Sequence, residues 1–220
     1  MKKLIIFGAD TLASLLAFQV KHQAGWELAG FTVDDNYLLE SSFEGFPVIG
    51  FNGLEKKFHP DHFELIFPLG FRWMNDLRAK RIEQAKEKGF KVGNFVSSYA
   101  CVLSDTEVKE NVLIFEQAIV QPHVKLGCNI IIRSGANIGH HSVIGNHSFI
   151  ASGVVTGGNV TIGERCFIGL GAVIRDNIKI ADRTFIGAGA VVVKDTEIDG
   201  VYIGNPARKI KKTAMEATDG

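Results

Sequence analysis

The adjacent pair His140 and His141 is the strongest chemical candidate in this 220-residue chain. Imidazole is the side chain whose ordinary pKa, about 6.5, suits proton transfer near neutrality. Gly158 stands eighteen residues after His140, and His123 stands eighteen before His141. Eighteen is three beats of a six-residue repeat, described below, so residues at that interval lie one coil apart on the same face. Gly158 is thus expected beside His140, leaving open space at the imidazole and a backbone N–H near it. A base and a hydrogen-bond donor for a developing oxyanion are what attack on a thioester needs. His141 continues a column of His123, Asn159 and Asn177. That column reads as a polar corner ladder, as a means of steering His140, or as part of a metal site, since imidazoles suit zinc. His147, one beat further, faces another way and can serve only across a subunit boundary.

Other candidates are more scattered. Asp34 and Asp35 close a predicted strand, where acidic residues hydrogen-bond a ribose or base in nucleotide folds or simply form a solvated turn. Arg72 suits a diphosphate or a carboxylate at a helix start. Arg133, seven residues before His140, is near enough to contact a substrate. The first turn, Gly8-Ala9-Asp10-Thr11-Leu12, holds a single glycine and is a weak phosphate cradle, because close backbone approach wants glycines.

The elements that position these residues fall into two halves. Residues 3–9 read as a buried strand, 11–22 as a helix capped by Thr11 or Asp10, and 26–33 as a second strand. Short strands follow at 47–49 and 63–67. A helix is expected over 72–88, with Trp73, Leu77, Ile82 and Ala85 on one face and Gly89 as its cap, then a strand from Lys91 to Val96. Strands alternating with helices imply a parallel α/β sheet. From Val96 to Ile198 every sixth residue is aliphatic at seventeen of eighteen positions, with Thr156 the exception. Small or β-branched residues recur four places later, as at Ala118, Ala136, Ser142, Ser148, Cys166, Ala172 and Thr184. A triangular coil of three short strands has that period, so six coils of parallel β-helix are expected, roughly 25–30 Å tall at about 4.8 Å per coil. The expected organisation is an α/β domain over 1–95, a β-helix over 96–203 and a tail over 204–220.

Composition excludes several classes. Lys plus Arg and Asp plus Glu number 24 each, which argues against a nucleic-acid or anionic-membrane partner. No apolar run approaches the ~20 residues of a membrane span. The apolar start is short and interrupted by Asp10, unlike a signal peptide, so a cytoplasmic protein is expected. Cys101, Cys128 and Cys166 form neither a disulfide framework nor a zinc pattern.

The opening IIFGA, the segment LAGFTVDDN…EGFPVIG, the stretch PLGF-R with KEKGF, the hexad IGHHSVIG and the closing IGNPARKI together resemble the NeuD/PglD-like sugar acyltransferases of bacterial surface-glycan pathways. The resemblance implies a left-handed β-helix following a Rossmann-like α/β unit that binds a nucleotide sugar through Gly8, Asp34, Asp35 and Arg72. It implies acyl-coenzyme A-dependent transfer, with acetyl-CoA as donor, to an amino group or hydroxyl, and no metal. His140 is the implied base, with His141 in the place of the usual carboxylate. Backbone along Gly158, Gly171 and Ala188 would hold the pantetheine arm, Arg208 would reach a coenzyme A phosphate, and Arg133 would touch substrate. A homotrimer with coenzyme A between subunits is implied. The family's first turn is richer in glycine and carries a histidine that is absent here, and Phe149 stands where some relatives have a second histidine. The alternative is a metal-dependent hydratase on the same scaffold, like γ-class carbonic anhydrases, which would need a third histidine near His123 and His141.

Overall fold

The computed structural model describes residues 2–103 and 105–219. Its contacts divide the chain into two compact units: Met1–Gly70 with Lys80–Gly93, and Phe71–Ala79 with Asn94–Gly220.

In the first unit, β1 (Lys2–Phe7), β2 (Trp26–Val33), β4 (Phe46–Gly50), β5 (Glu64–Ile66) and β6 (Lys91–Val92) pair in parallel. A short β3 (Ser42–Phe43) adds antiparallel to β4, giving the order β3-β4-β2-β1-β5-β6. Ile5, Phe7 and Leu65 from the strands, with Phe67 just beyond β5, pack with Phe51, Phe58, Ile82 and Phe90 in one core. Helix α1 (Thr11–Lys21) starts at Asp10, whose carboxylate accepts the N–H groups of Leu12 and Ala13 at 3.0 Å each. A four-residue α2 (Leu54–Lys57) follows β4, and α3 (Asp76–Glu87) precedes β6. Gly89, at φ +85°, ends α3 with the paired bonds Gly89 N–H to Lys86 C=O and Phe90 N–H to Ala85 C=O.

The second unit is the repeat. Its first face stacks Phe95–Val96, Leu113–Ile114, Ile131–Ile132, Phe149–Ile150, Phe167–Ile168 and Phe185–Ile186. The second face stacks Cys101–Val102, Ile119–Val120, Asn137–Ile138, Val155–Thr156, Val173–Ile174 and Val191–Val192. A third stacks Lys125–Leu126, Val143–Ile144, Thr161–Ile162 and Lys179–Ile180. Every register is offset by eighteen residues, such as Ile119 with Asn137. This is a parallel left-handed β-helix. Ala118, Ala136, Ser142, Ser148, Cys166, Ala172 and Thr184 are all buried at corners, where only small side chains fit inside the bend.

The beat fails at both ends. Val108 lies on no strand and is half-buried. In the last coil Phe185 pairs with Val201 and Ile186 with Tyr202, an offset of sixteen, so Tyr202 goes inward while Ile198 is 65% exposed. The strand Gly200–Ile203 then pairs antiparallel with Arg208–Thr213, and a short helix, Ala214–Thr218, follows. The helix expected over 72–88 begins only at Asp76. Trp73, Met74 and Asn75 have φ of 51°, 48° and 69°, a left-handed run that L-residues avoid unless contacts hold it. Here Met74 N–H donates to Thr218 Oγ1 (3.0 Å) and Trp73 Nε1 to Asp219 Oδ1 (2.7 Å). Phe71 lies over the ring of Phe167 at 3.9 Å between centroids, beside Phe149 and Phe185. Residues 71–79 therefore group with the coils, although the sequence places them before the boundary at 95.

Candidate active site

His140 sits in the corner, residues 139–142, that joins the second face to the third. Two neighbours fix the backbone there. Gly139 N–H donates to Thr156 Oγ1 (2.8 Å) and His140 N–H to Gln121 Oε1 (3.1 Å), with Gln121 Nε2 donating to Asn137 Oδ1 (3.0 Å). Thr156, the one polar residue on the inward beat, thus holds the turn that carries His140. The imidazole is exposed. A Cβ at Gly158 would come within 2.6 Å of its Nε2 and 2.9 Å of its Nδ1. Only glycine at 158 leaves the ring where it is.

His140 Nδ1 lies 3.1 Å from His141 Nδ1. One nitrogen of that pair carries the proton and the other accepts it. With the proton on His140 Nδ1, the His140 Nε2 lone pair is free to act as a base. His141 is at φ 58°, as are its column neighbours His123 (64°), Asn159 (55°) and Asn177 (59°). Its ring is 4.6 Å from that of His123, and Asn159 Nδ2 donates to Asn177 Oδ1 (3.3 Å). The polar ladder and the contact to His140 are both present. Among the described residues no group of three or more His, Cys, Asp or Glu side chains is placed to hold a metal ion.

Gly158 differs from the expectation in one respect. Its N–H is already donated to Asp176 Oδ1 at 2.9 Å, so it gives His140 room but is not a free oxyanion donor. Asp176 lies eighteen residues beyond Gly158, and the same column arithmetic that found Gly158 could have found it. Gly171 and Ala188 occupy the other edge of the second face, in corners 169–172 and 187–190, rather than His140's edge. Both are exposed, and a Cβ at Gly171 would meet nothing within 4 Å. Arg133 is on that edge too, in corner 133–136. Its guanidinium stacks on Phe115 at 4.3 Å, its Nη1 is buried with no hydrogen-bond partner, and burial pushes its pKa down against the pull of Glu116. His147 is at the third corner, where Nδ1 meets Asn129 Nδ2 at 2.9 Å. Burial, then the charges of Arg165 and Arg78, lower its pKa. Arg208 is exposed on the terminal hairpin, with Nη1 donating to Ala207 C=O.

In the α/β unit, Gly8 is at φ +116° and its N–H donates to Thr32 C=O (2.8 Å). Asp34 accepts from Arg81 Nη2 (2.7 Å) and Nε (3.1 Å), and Asp35 accepts from Asn52 N–H (3.1 Å). These carboxylates line a cleft of about 480 Å³ with Asn36, Arg81, Gln84 and Lys88. Arg81 had no signal in the sequence beyond its helical setting. Arg72 is exposed, 5.2 Å from the Trp73 ring, and groups with the repeat unit rather than with Asp34 and Asp35.

Coils that repeat every six residues are the hallmark of the bacterial hexapeptide transferases, and here one of them holds an exposed histidine against a glycine. The family model described as bacterial transferase hexapeptide (six repeats) matches residues 141–176 and 159–194. The acetyltransferase domain of PglB from Neisseria gonorrhoeae is 28% identical, with 96% of this chain and 100% of that chain covered and a TM-score of 0.84. The H141N mutant of perosamine N-acetyltransferase from Caulobacter crescentus, in complex with CoA and GDP-perosamine, is 24% identical over 96% and 98%, with a TM-score of 0.86. WeeI from Acinetobacter baumannii is 23% identical over 96% and 100%, at 0.85. No curated protein sequence matches the chain. The chain is similar in fold and repeat to the NeuD/PglD-like sugar acyltransferases and is an acyltransferase enzyme.

Proposed function

We propose that the protein transfers an acetyl group from acetyl-CoA to the amino group, or a hydroxyl, of a nucleotide-linked sugar in bacterial surface-glycan biosynthesis, in the cytoplasm and as a homotrimer. The observation that carries this reading is His140, exposed, held against Gly158 and bonded through Nδ1 to His141. The acceptor nitrogen or oxygen attacks the thioester carbonyl carbon while His140 Nε2 takes its proton. The carbonyl electron pair moves to oxygen, then returns as the C–S bond breaks, and the departing thiolate recovers the proton. His141 keeps the proton of His140 on Nδ1, the role a carboxylate plays in relatives.

The placement of the residues supports a trimer. The outward side chains of the second face include Ile119, Val155, Val173 and Val191, and Val155 and Val173 are 43% and 41% exposed. A threefold axis facing these apolar columns buries them. It also brings the His140 edge of one copy to the edge of the next copy that carries Gly171, Ala188 and Arg133. The pantetheine arm then runs between copies along the small residues, with Arg208 near a phosphate. The N-terminal unit supplies nucleotide recognition, with the Asp34–Asp35 cleft for ribose and base. Asp10 already occupies the first helical N–H groups, which leaves the Gly8 turn a poor place for phosphate.

The test is acceptor-dependent release of coenzyme A thiol from acetyl-CoA across a panel of UDP-, GDP-, CMP- and dTDP-linked amino sugars. The panel is first ranked by thermal shift, since a ligand at 100 times its Kd adds about 2.7 kcal/mol. Stabilisation by a nucleotide sugar with acceptor-dependent thiol release supports the reading. Thiol release with none of the panel would sink it.

A further inference from the structure

Oxyanion stabilisation is commonly the largest single contribution to acyl-transfer catalysis. In this chain the amide of Gly158, the glycine against the His140 ring, is spent on Asp176. A different donor is needed, and the Arg133 guanidinium, stacked on Phe115, keeps Nη1 without a hydrogen-bond acceptor in its own chain. Among the described residues the Arg133 guanidinium makes no hydrogen bond and no ion pair; the carboxylate closest to it in charge, Glu116, accepts Ser134 Oγ at 2.6 Å. Keeping a half-buried guanidinium without an acceptor is costly. Arg133 ends an apolar trough of about 410 Å³ lined by Phe71, Phe149, Phe167, Leu170 and Ala188. In such surroundings a positive donor acts on a new negative charge far more strongly than it would in water. Arg133 and His140 belong to one coil, on either edge of the strand Asn137–Ile138.

Resting on the trimeric acyltransferase reading above, we infer that Arg133 of one copy donates to the thioester carbonyl oxygen of the acyl donor attacked under His140 of the neighbouring copy. As the acceptor adds to the carbonyl carbon, the π pair passes to oxygen and Arg133 N–H bonds hold that oxyanion. When the pair returns, the C–S bond breaks and the thiolate leaves with the proton that His140 received. No additional reactant is required. The acyl group itself lies against the phenyl rings of the trough, out of water.

Arg133→Gln keeps a planar polar end and most of the aliphatic stem, but is shorter and carries no charge. It is expected to lower kcat about 10²- to 10³-fold, the usual effect of removing one oxyanion donor, with KM for acetyl-CoA, trimer mass and melting temperature near wild type. Arg133→Lys should recover part of that loss. The decisive measurement is mixing. Arg133→Gln and His140→Asn chains carrying different tags are co-expressed, and trimers containing both are purified. In a cyclic trimer of two chain types, roughly one interface in three pairs an intact His140 with an intact Arg133. About a third of wild-type turnover per site is therefore expected from two nearly inactive parents. No recovery in mixed trimers of normal mass would overturn the inference, as would an unchanged kcat in Arg133→Gln. Wild-type turnover with any acceptor upholds the underlying function in either event, so the two failures are distinguishable.

Discussion

At the scale of single residues, the site depends on where one proton sits. An imidazole works as a base only if the nitrogen facing the acceptor is bare, and the 3.1 Å contact to His141 leaves His140 Nε2 bare when His140 is the donor of that bond. His140→Asn removes the base but keeps size and polarity. Turnover is expected to fall about 100- to 10,000-fold with coenzyme A binding retained, as read by steady-state kinetics and calorimetry. Near-normal turnover would dispose of the mechanism. His141→Asn suits the left-handed backbone of its column, which already holds Asn159 and Asn177 at the same φ. It should leave stability intact while lowering turnover, because the tautomer of His140 is no longer set. Gly158→Ala is a sterner probe of geometry than of fold. Its Cβ would stand 2.6 Å from His140 Nε2, and an exposed ring can swing aside. The expected outcome is lost turnover with a melting temperature close to wild type.

At the scale of elements, residues 71–79 act as a strap along one corner of the coils. Asp76 bonds Arg165 Nε (2.7 Å), and Asn75 Nδ2 donates to Cys166 C=O (3.2 Å). Arg78, fully buried, donates to Asn129 Oδ1 (2.7 Å) and to the carbonyls of Asn129, His147 and Ser148. One guanidinium thus satisfies the carbonyls of Asn129 and His147 and shares that of Ser148 with the Ile131 N–H. The start of this strap was illegible in the sequence. Residues 72–75 have the composition of a helix, and only the docking of Phe71 on the coils and the bonds of Trp73 and Met74 to the C-terminal segment explain why the backbone turns left-handed first. The strap predicts a pH effect. Burial and the neighbouring Arg165 and Arg78 lower the pKa of His147 below that of the unfolded chain. As pH falls through about 6.5 the unfolded state gains a proton that the folded state refuses, so stability declines with acid. The decline continues until the lowered folded pKa is reached. His147→Asn, in a column that already uses Asn111 and Asn129, should flatten the fall in melting temperature between neutral and mildly acidic buffer. An unchanged slope would place the acid sensitivity elsewhere.

At the scale of the molecule, the coils were the most legible part. An inward aliphatic every sixth residue is a local signature that repeats, and each coil buries only its neighbours. Legibility ended where the chain stopped repeating itself, at the short last coil that swaps Ile198 for Tyr202. It ended too where pairing depended on a distant partner, as with Arg81 and Asp34. The same repetition left a consequence on the surface. Outward positions on the third face carry Lys125, Val143, Thr161 and Lys179, while those on the second carry Ile119, Asn137, Val155, Val173 and Val191, a column that is apolar but for Asn137. A flat apolar face with polar edges is suited to burial against copies of itself. Val155→Asp combined with Val173→Asp would place six carboxylates about the proposed threefold axis, at a heavy cost in desolvation and mutual repulsion. Each substituted side chain points away from its own core, so the coils should still form. The expected result is a single-chain mass by light scattering, a β-rich circular dichroism spectrum like that of wild type, and turnover lost because no His140 meets a neighbour's Arg133. A trimer that survives the double substitution would mean that the chains associate through another face. Retained turnover in a monodisperse monomer would mean that one chain holds the whole site.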